Sequence, residues 1–428
     1  MPEFRTVRGM RDLLPEEAKM MKYIEDKARK TARLYGFKEI ITPIVESYEL
    51  LSVKAGEEVR SRMFVFKDLG DRRVALRPEF TASVARLVAT TLRTEPKPFR
   101  LFSVGSVYRY DEPQKGRYRE FWQSNYELMG SNRPEADAEI LMLTDSLMKT
   151  VGLNCAIKVG HVGVLRGIFN QEKLEDKVQN AVMQLMDKQQ YDDTFKMVET
   201  SGMSAKGLQV LRKLTELKGN KVFDIVEKMK ENVKDYEKAV EATENLKEVL
   251  TLVMQSGNKI NMIVDAGFAR GLEYYTGMIF EAYIPDLNVA LGGGGRYDKL
   301  IELFGGEPTP AVGVAHGVDR IMLGIQAQKT AEETDAEKTV MVIPVQETLK
   351  GEALKIAATL RDKDVSVEAE VMGRKMAKAL EDADRRKIAY AIIVGERELK
   401  EGSVVIRNLK KREQRTVKVD CITEAIKD

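Results

Sequence analysis

Arginines set among aromatic and strand-forming residues are the first side chains in this sequence that point to chemistry. The stretch Phe99 to Gly130 reads FRLFSVGSVYRYDEPQKGRYREFWQSNYELMG and carries Arg109, Arg117 and Arg119. A guanidinium is planar, stays charged and offers several donors in fixed directions, so it suits phosphate. Arg320, beside Asp319, adds another from a distant part of the chain. Two such groups can grip one nucleotide, one on phosphate and one stacked on the base. The chain has no G-x-x-x-x-G-K-[ST] loop and no kinase loop set, so side chains must hold any phosphate. The run Gly292 to Gly295 is not such a loop, though its glycines permit close backbone approach. Taken alone, Phe99 to Gly130 fits an edge hairpin with a solvated basic tip equally well.

Composition narrows the classes. With 43% hydrophobic and 32% charged residues the chain of 428 is ordinary globular protein of two or three domains. Lys+Arg 69 nearly cancels Asp+Glu 67, so any nucleic-acid surface is a local patch. Two cysteines, Cys155 and Cys421, exclude a disulfide framework and fit a reducing, cytoplasmic setting. Two distant histidines, His161 and His316, make a protein-held metal or a histidine-centred triad a poor expectation. No apolar run is long enough to span a bilayer, and the N-terminus reads as neither signal nor transit peptide.

The expected fold class is α/β. A helix starts at Pro15, with acids beside it, and stops at Gly36. Phe37 to Pro43 reads as a strand, Met63 to Leu69 with Val74 to Leu76 as a hairpin, and Ala82 to Leu92 as a helix. Leu101 to Tyr108 and Phe121 to Leu128 read as antiparallel strands around a charged loop, followed by a helix over Pro134 to Thr150. Ala156 to Gly160 is a strand. Residues 166 to about 257 then read as a helical insertion, because strand signals stop and resume only at Ile260. Strands follow at Met278 to Tyr283 and Ala311 to Gly317, then a helix from Val318. Residues 329–337 are charged and lack periodicity, a linker between a first domain, 1–328, and a last one, 338–428. The last alternates strands and helices, a mainly parallel sheet, and ends in a basic run, Arg397 to Lys418.

Three segments carry a resemblance. Gly36 to Glu46, with Pro43, resembles motif 1 of the class II aminoacyl-tRNA synthetases. Phe99 to Gly130 resembles motif 2, and Gly313 to Arg320 motif 3. The run RGLEYYTGMIFEAY, Arg270 to Tyr283, and the tract PQKGRYREF, Pro113 to Phe121, are similar to those of the histidyl-tRNA synthetase family. The resemblance covers essentially the whole chain. It implies an α+β catalytic domain on a mainly antiparallel sheet, a helical insertion and an anticodon-binding α/β domain. It implies ATP with Mg²⁺, histidine and tRNA(His) as partners, and a homodimer.

The resemblance also implies roles. Arg109 and Arg270 would act on the α-phosphate from opposite sides, and Arg117 would reach the pyrophosphate. Phe121 and Arg320 would stack on the two faces of adenine. Glu127 and Tyr275, with Tyr274 nearby, would read the histidine ring, where a carboxylate opposite a hydroxyl matches a donor–acceptor pair. Glu79, Thr81 and Gln123 would hold the α-amino group. Gln114 would meet the 5′ guanosine of the tRNA. Where the family usually reads the adenine amino group with a glutamate, this chain has Asp111 followed by Glu112. The resemblance leaves the contact open between Asp111, reaching through water, and Glu112 in its place. The alternative reading is the synthetase-like regulatory subunit of ATP phosphoribosyltransferase, which lacks a C-terminal domain and has eroded motifs.

Overall fold

Alternation along two long strands decides how the first part of the chain is built. The computed structural model describes residues 4–53, 56–114, 116–270, 273–285, 290–329 and 339–426. The chain divides into two units, Met1–Thr330 and Ala331–Asp428. Most of the sequence-predicted linker, from 330 on, lies outside the described residues, as do Lys115, Gly271 and Leu272 of the motif runs.

In the first unit β1 is Lys38–Glu39, β2 Val45–Ser47, β3 Val65–Lys67 and β4 Arg73–Leu76. The long pair is β5, Phe99–Tyr108, and β6, Glu120–Met129. Then come β7 Ala156–His161, β8 Lys218–Gly219, β9 Met262–Asp265, β10 Met278–Tyr283, β11 Ala290–Arg296 and β12 Ala311–Gly317. Nine strands form one sheet in the order β1-β5-β6-β12-β11-β10-β7-β9-β8. Its central run from β5 to β7 is antiparallel throughout. Three strands, β2-β4-β3, form a small separate sheet.

Helices Pro15–Leu34, Pro134–Thr150 and Val318–Gln328 pack on one side of the sheet. Two of them begin with Pro and carry acids in the first turn, where the amide dipoles favour negative charge. Tyr126 on β6 points to this side, and its buried hydroxyl donates to the Ala28 carbonyl at 2.9 Å. Residues one step out of phase, Gln123 and Glu127, line a cavity instead. Arg296 at the end of β11 is tied down by Asp137 of the second helix at 2.7 Å and by the Ser131 carbonyl at 2.9 Å. Breaking a buried pair strands a charge, so this anchor fixes where β11 and Tyr297 after it can lie.

Several elements differ from the sequence expectation. The strand expected over Phe37 to Pro43 shrinks to β1. The helical run starts earlier, at Val162, and ends at Gln255. It is interrupted by β8, whose two residues are too short to show alternation.

In the second unit β13 is Val340–Pro344, β14 Val367–Ala369, β15 Tyr390–Val394, β16 Ser403–Asn408 and β17 Glu413–Lys418. The order is β14-β13-β15-β16-β17. The first three are parallel, with helices Lys350–Arg361 and Met376–Arg385 as crossovers. The mainly parallel expectation holds only for these three. Much of the basic run folds as the antiparallel hairpin β16–β17. Its outer strand is an exposed edge, and edge strands carry charge that masks the strand pattern.

Candidate active site

The cavity beside β6 has a volume of about 320 Å³. It collects residues from many parts of the first unit, among them the start of helix Thr81–Ala89, the β5–β6 hairpin, the segment before β10, the glycines of β11 and β12, and the start of helix Val318–Gln328. Twelve of the thirteen sequence-predicted site residues line it, all but Gln114. Gln114 sits exposed at the hairpin tip, where its N–H donates to the Arg117 carbonyl at 3.0 Å and its carbonyl accepts the Arg117 N–H at 2.8 Å.

One end of the cavity is acidic and aromatic. Glu127 is 2% exposed. Its Oε1 accepts the Thr81 hydroxyl at 2.7 Å, and its Oε2 accepts the Tyr297 hydroxyl. Burial pushes the Glu127 carboxyl up to about 7, while the two hydroxyls pull it back toward the charged form. Glycine is required opposite: a Cβ on Gly313 would collide with Glu127 Oε2. Glu79 accepts the Tyr274 hydroxyl at 3.3 Å, and burial raises its carboxyl against the pull of Arg109. Tyr274 lies against Tyr275, ring centroids 4.8 Å apart, and edge-on to Tyr297 at 5.7 Å. Gln123 is buried, and its Oε1 has no hydrogen-bond partner among the described residues. A buried carbonyl oxygen of this kind calls for a donor.

The other end holds guanidinium groups, each fixed by a backbone or acidic partner. Arg109 Nε donates to the Pro78 carbonyl at 2.9 Å, with its guanidinium carbon 5.4 Å from the Phe121 ring centroid. Arg320 donates to the Ala290 carbonyl at 2.9 Å. Arg270 pairs with Glu281 at 3.1 Å, and Lys158 holds the other oxygen of Glu281 at 3.4 Å. Arg117 lies 3.6 Å from Asp111. Burial lowers the Arg320 pKa, and the charges of Arg117, Arg109 and Arg270 add to that. These four cations therefore feel one another across the cavity.

Asp111 is buried and bonded to Arg62 at 3.0 Å, whereas Glu112 is exposed and pairs with Arg8 at 2.9 Å. Only Asp111 lines the cavity. His161 and His316 are buried and pushed down to about 4 and about 3, so both are neutral near pH 7. No group of three His, Cys, Asp or Glu side chains among the described residues is arranged to hold a metal.

Sequence reasoning missed Tyr297, Arg62, Glu281 and Asp319 as cavity residues. Tyr297 follows the glycine run directly, and that run was the available signal. Asp187, at the end of the insertion helix Asp176–Asp187, also lines the cavity, and nothing in its local sequence marks it.

Comparison with known proteins identifies the family. Residues 9–321 match the family described as Histidyl-tRNA synthetase, and residues 339–428 match the Anticodon binding domain. The histidine--tRNA ligase of Methanococcus maripaludis is 44% identical over 422 residues, covering 97% of this chain and 98% of the relative. That of Pyrococcus furiosus is 37% identical and covers 99% of this chain and 98% of its own. The crystal structure of histidyl-tRNA synthetase from Nostoc sp. PCC 7120 superposes with a TM-score of 0.81 at 24% identity, covering 100% and 99% of the two chains, which supports the fold. The chain belongs to the histidyl-tRNA synthetase family.

Proposed function

We propose that the chain joins histidine to tRNA(His) in two steps within this one cavity. In the first, a carboxylate oxygen of histidine attacks the α-phosphorus of ATP, and pyrophosphate leaves with the bridging electrons. In the second, a hydroxyl of the 3′-terminal adenosine of the tRNA attacks the carbonyl of histidyl-adenylate, and AMP leaves. The observation that carries the reading is the meeting of Arg109, Arg117, Arg270 and Arg320 with the buried carboxylate of Glu127 around one space.

The parts divide by charge. Arg109 and Arg270 face the α-phosphate and stabilise charge that builds there in the transition state. Arg117, at the open hairpin, takes the pyrophosphate. The base lies between Phe121 and Arg320, with Asp111 toward its amino group. Buried pairing with Arg62 supports Asp111 over the exposed Glu112 for that role. Glu127 accepts a ring N–H of histidine, Tyr275 serves the other nitrogen, and Tyr274 closes the side. Glu79 and Gln123 hold the ammonium. Thr81 joins them: its hydroxyl donates to Glu127, and its oxygen still accepts from the ammonium. Mg²⁺ enters with ATP on the β- and γ-phosphates as part of the substrate. Gln114 and the hairpin tip meet the tRNA end, and the second unit takes the anticodon. Arg415 and Lys418 are bonded to the Ala425 and Glu401 carbonyls, so other basic residues of that run face the RNA. The match at 339–428 weighs against a regulatory subunit that lacks this domain.

A homodimer and a cytoplasmic location complete the reading. Ile41 is 94% exposed, and Ile44, Val45, Val65 and Phe66 nearby in sequence or on the small sheet are also exposed. Such apolar surface on the motif 1 side suits a second copy of this chain. Cys155 and Cys421 are both unbridged, in keeping with a reducing compartment. No helix among the described residues is long and apolar enough to cross a membrane.

Arg270→Ala lowers kcat for ATP–pyrophosphate exchange about 10²- to 10³-fold while calorimetric histidine affinity stays near wild type. Equal losses in both measurements remove Arg270 from the phosphate. Glu127→Gln weakens histidine binding by about 1.5–3 kcal/mol at high pH, as for a hydrogen bond to a charged group. With the carboxyl at about 7, wild-type histidine affinity falls as pH drops through that value, because protonation removes the negative charge from the acceptor. In Glu127→Gln that component is gone, and only the ligand's own titration remains. An identical pH profile in both proteins contradicts the assignment. Sedimentation of the full chain returns the mass of two copies; a single-chain mass at micromolar concentration contradicts the dimer.

A further inference from the structure

The segment Phe4 to Leu14 has no part in the reading above, yet it runs against the site. The Gly9 carbonyl accepts the Arg119 N–H at 2.8 Å. Gly9 has a φ of +83°, and a Cβ there would lie 2.7 Å from Arg119 Cγ, so segment and hairpin are in close contact. Arg11 reaches furthest. Its guanidinium carbon lies 3.5 Å from the centroid of the Tyr118 ring, and it pairs with Oδ1 of Asp319. The second oxygen of Asp319, Oδ2, accepts the backbone N–H of Trp122 at 2.7 Å. The Asp319 side chain is 3% exposed, and both Tyr118 and Asp319 line the cavity.

These contacts cross-link two elements. Trp122 directly follows Phe121 on β6. Asp319 directly precedes Arg320 in the first turn of helix Val318–Gln328. The Asp319 carboxylate therefore ties together the two residues that flank the nucleotide base. Arg11 is the ion-pair partner of this buried carboxylate. Without Arg11 the buried charge is left uncompensated, and the rearrangement that relieves it slackens the hold on Trp122. We propose that Arg11 is a positioning residue for the nucleotide: through Asp319 and Tyr118 it sets the spacing between Phe121 and Arg320. This rests on the proposed base slot. Lysine does not replace it fully, because an ammonium has no plane to lie on the Tyr118 ring.

The test is steady-state ATP–pyrophosphate exchange by the full chain carrying Arg11→Ala, Arg11→Lys or Arg320→Ala. Misplacement of the slot by Arg11→Ala raises KM for ATP about ten-fold, with KM for histidine within about two-fold of wild type. Arg11→Lys falls between, since it keeps the charge and loses the stack. If Arg320→Ala raises KM for ATP and Arg11→Ala does not, the Arg11 role is overturned while the base slot stands. If neither variant moves KM for ATP, the base slot itself is wrong and the inference falls with it. If Arg11→Ala raises both KM values alike and lowers the thermal midpoint, Arg11 is a general packing residue and the proposal is overturned.

Discussion

A carboxylate buried in the face of a sheet is the constraint from which the site follows. Taking a carboxylate out of water is unfavourable by several kcal/mol unless partners replace its hydration. Glu127 has two such partners, the hydroxyls of Thr81 and Tyr297, and still sits at about 7. In the proposed function a ring N–H of histidine is the further partner of this carboxylate. The surrounding sequence keeps room for this. Gly313 leaves space for the carboxylate on the adjacent strand. The Arg296–Asp137 anchor places Tyr297, and helix Thr81–Ala89 starts where its hydroxyl meets Oε1.

The cationic end obeys the complementary rule. Four guanidinium groups repel one another, so each needs a fixed partner to stay in place. Pro78 and Ala290 supply carbonyls, Glu281 and Asp111 supply carboxylates. Glu281 is itself shared between Arg270 and Lys158. The donors are oriented in advance, which is what makes electrostatic stabilisation effective when charge develops on a phosphate. Arg11 extends the same logic outward. It neutralises Asp319, and Asp319 in turn holds the strand and helix that bring Phe121 and Arg320 together.

Much of this was legible because the signals are local. The β5–β6 hairpin announces itself by apolar runs on both sides of a turn-rich loop, and helix Pro134–Thr150 by its proline, acids and period. Tyr297 was not legible as a partner of Glu127, because 170 residues separate them and only the β11–β12–β6 order brings them together. The same holds for Arg11 and Asp319, 308 residues apart. The hairpin β16–β17 was hidden for another reason: an edge strand that protects itself with charge reads as a solvated tail. Asp111 and Glu112 are neighbours in sequence and only burial separates them. One sits under Arg62 and the other beside Arg8 at the surface.

The central claim is that one cavity reads histidine and activates it with ATP. ATP–pyrophosphate exchange measured separately with each amino acid tests it most directly. A pocket of buried, ring-matched polar groups rejects other side chains by about 10⁴-fold or more, because they leave those groups unpaired. Exchange that depends on histidine alone is the predicted result. No exchange with histidine, or equal exchange with another amino acid, contradicts the account.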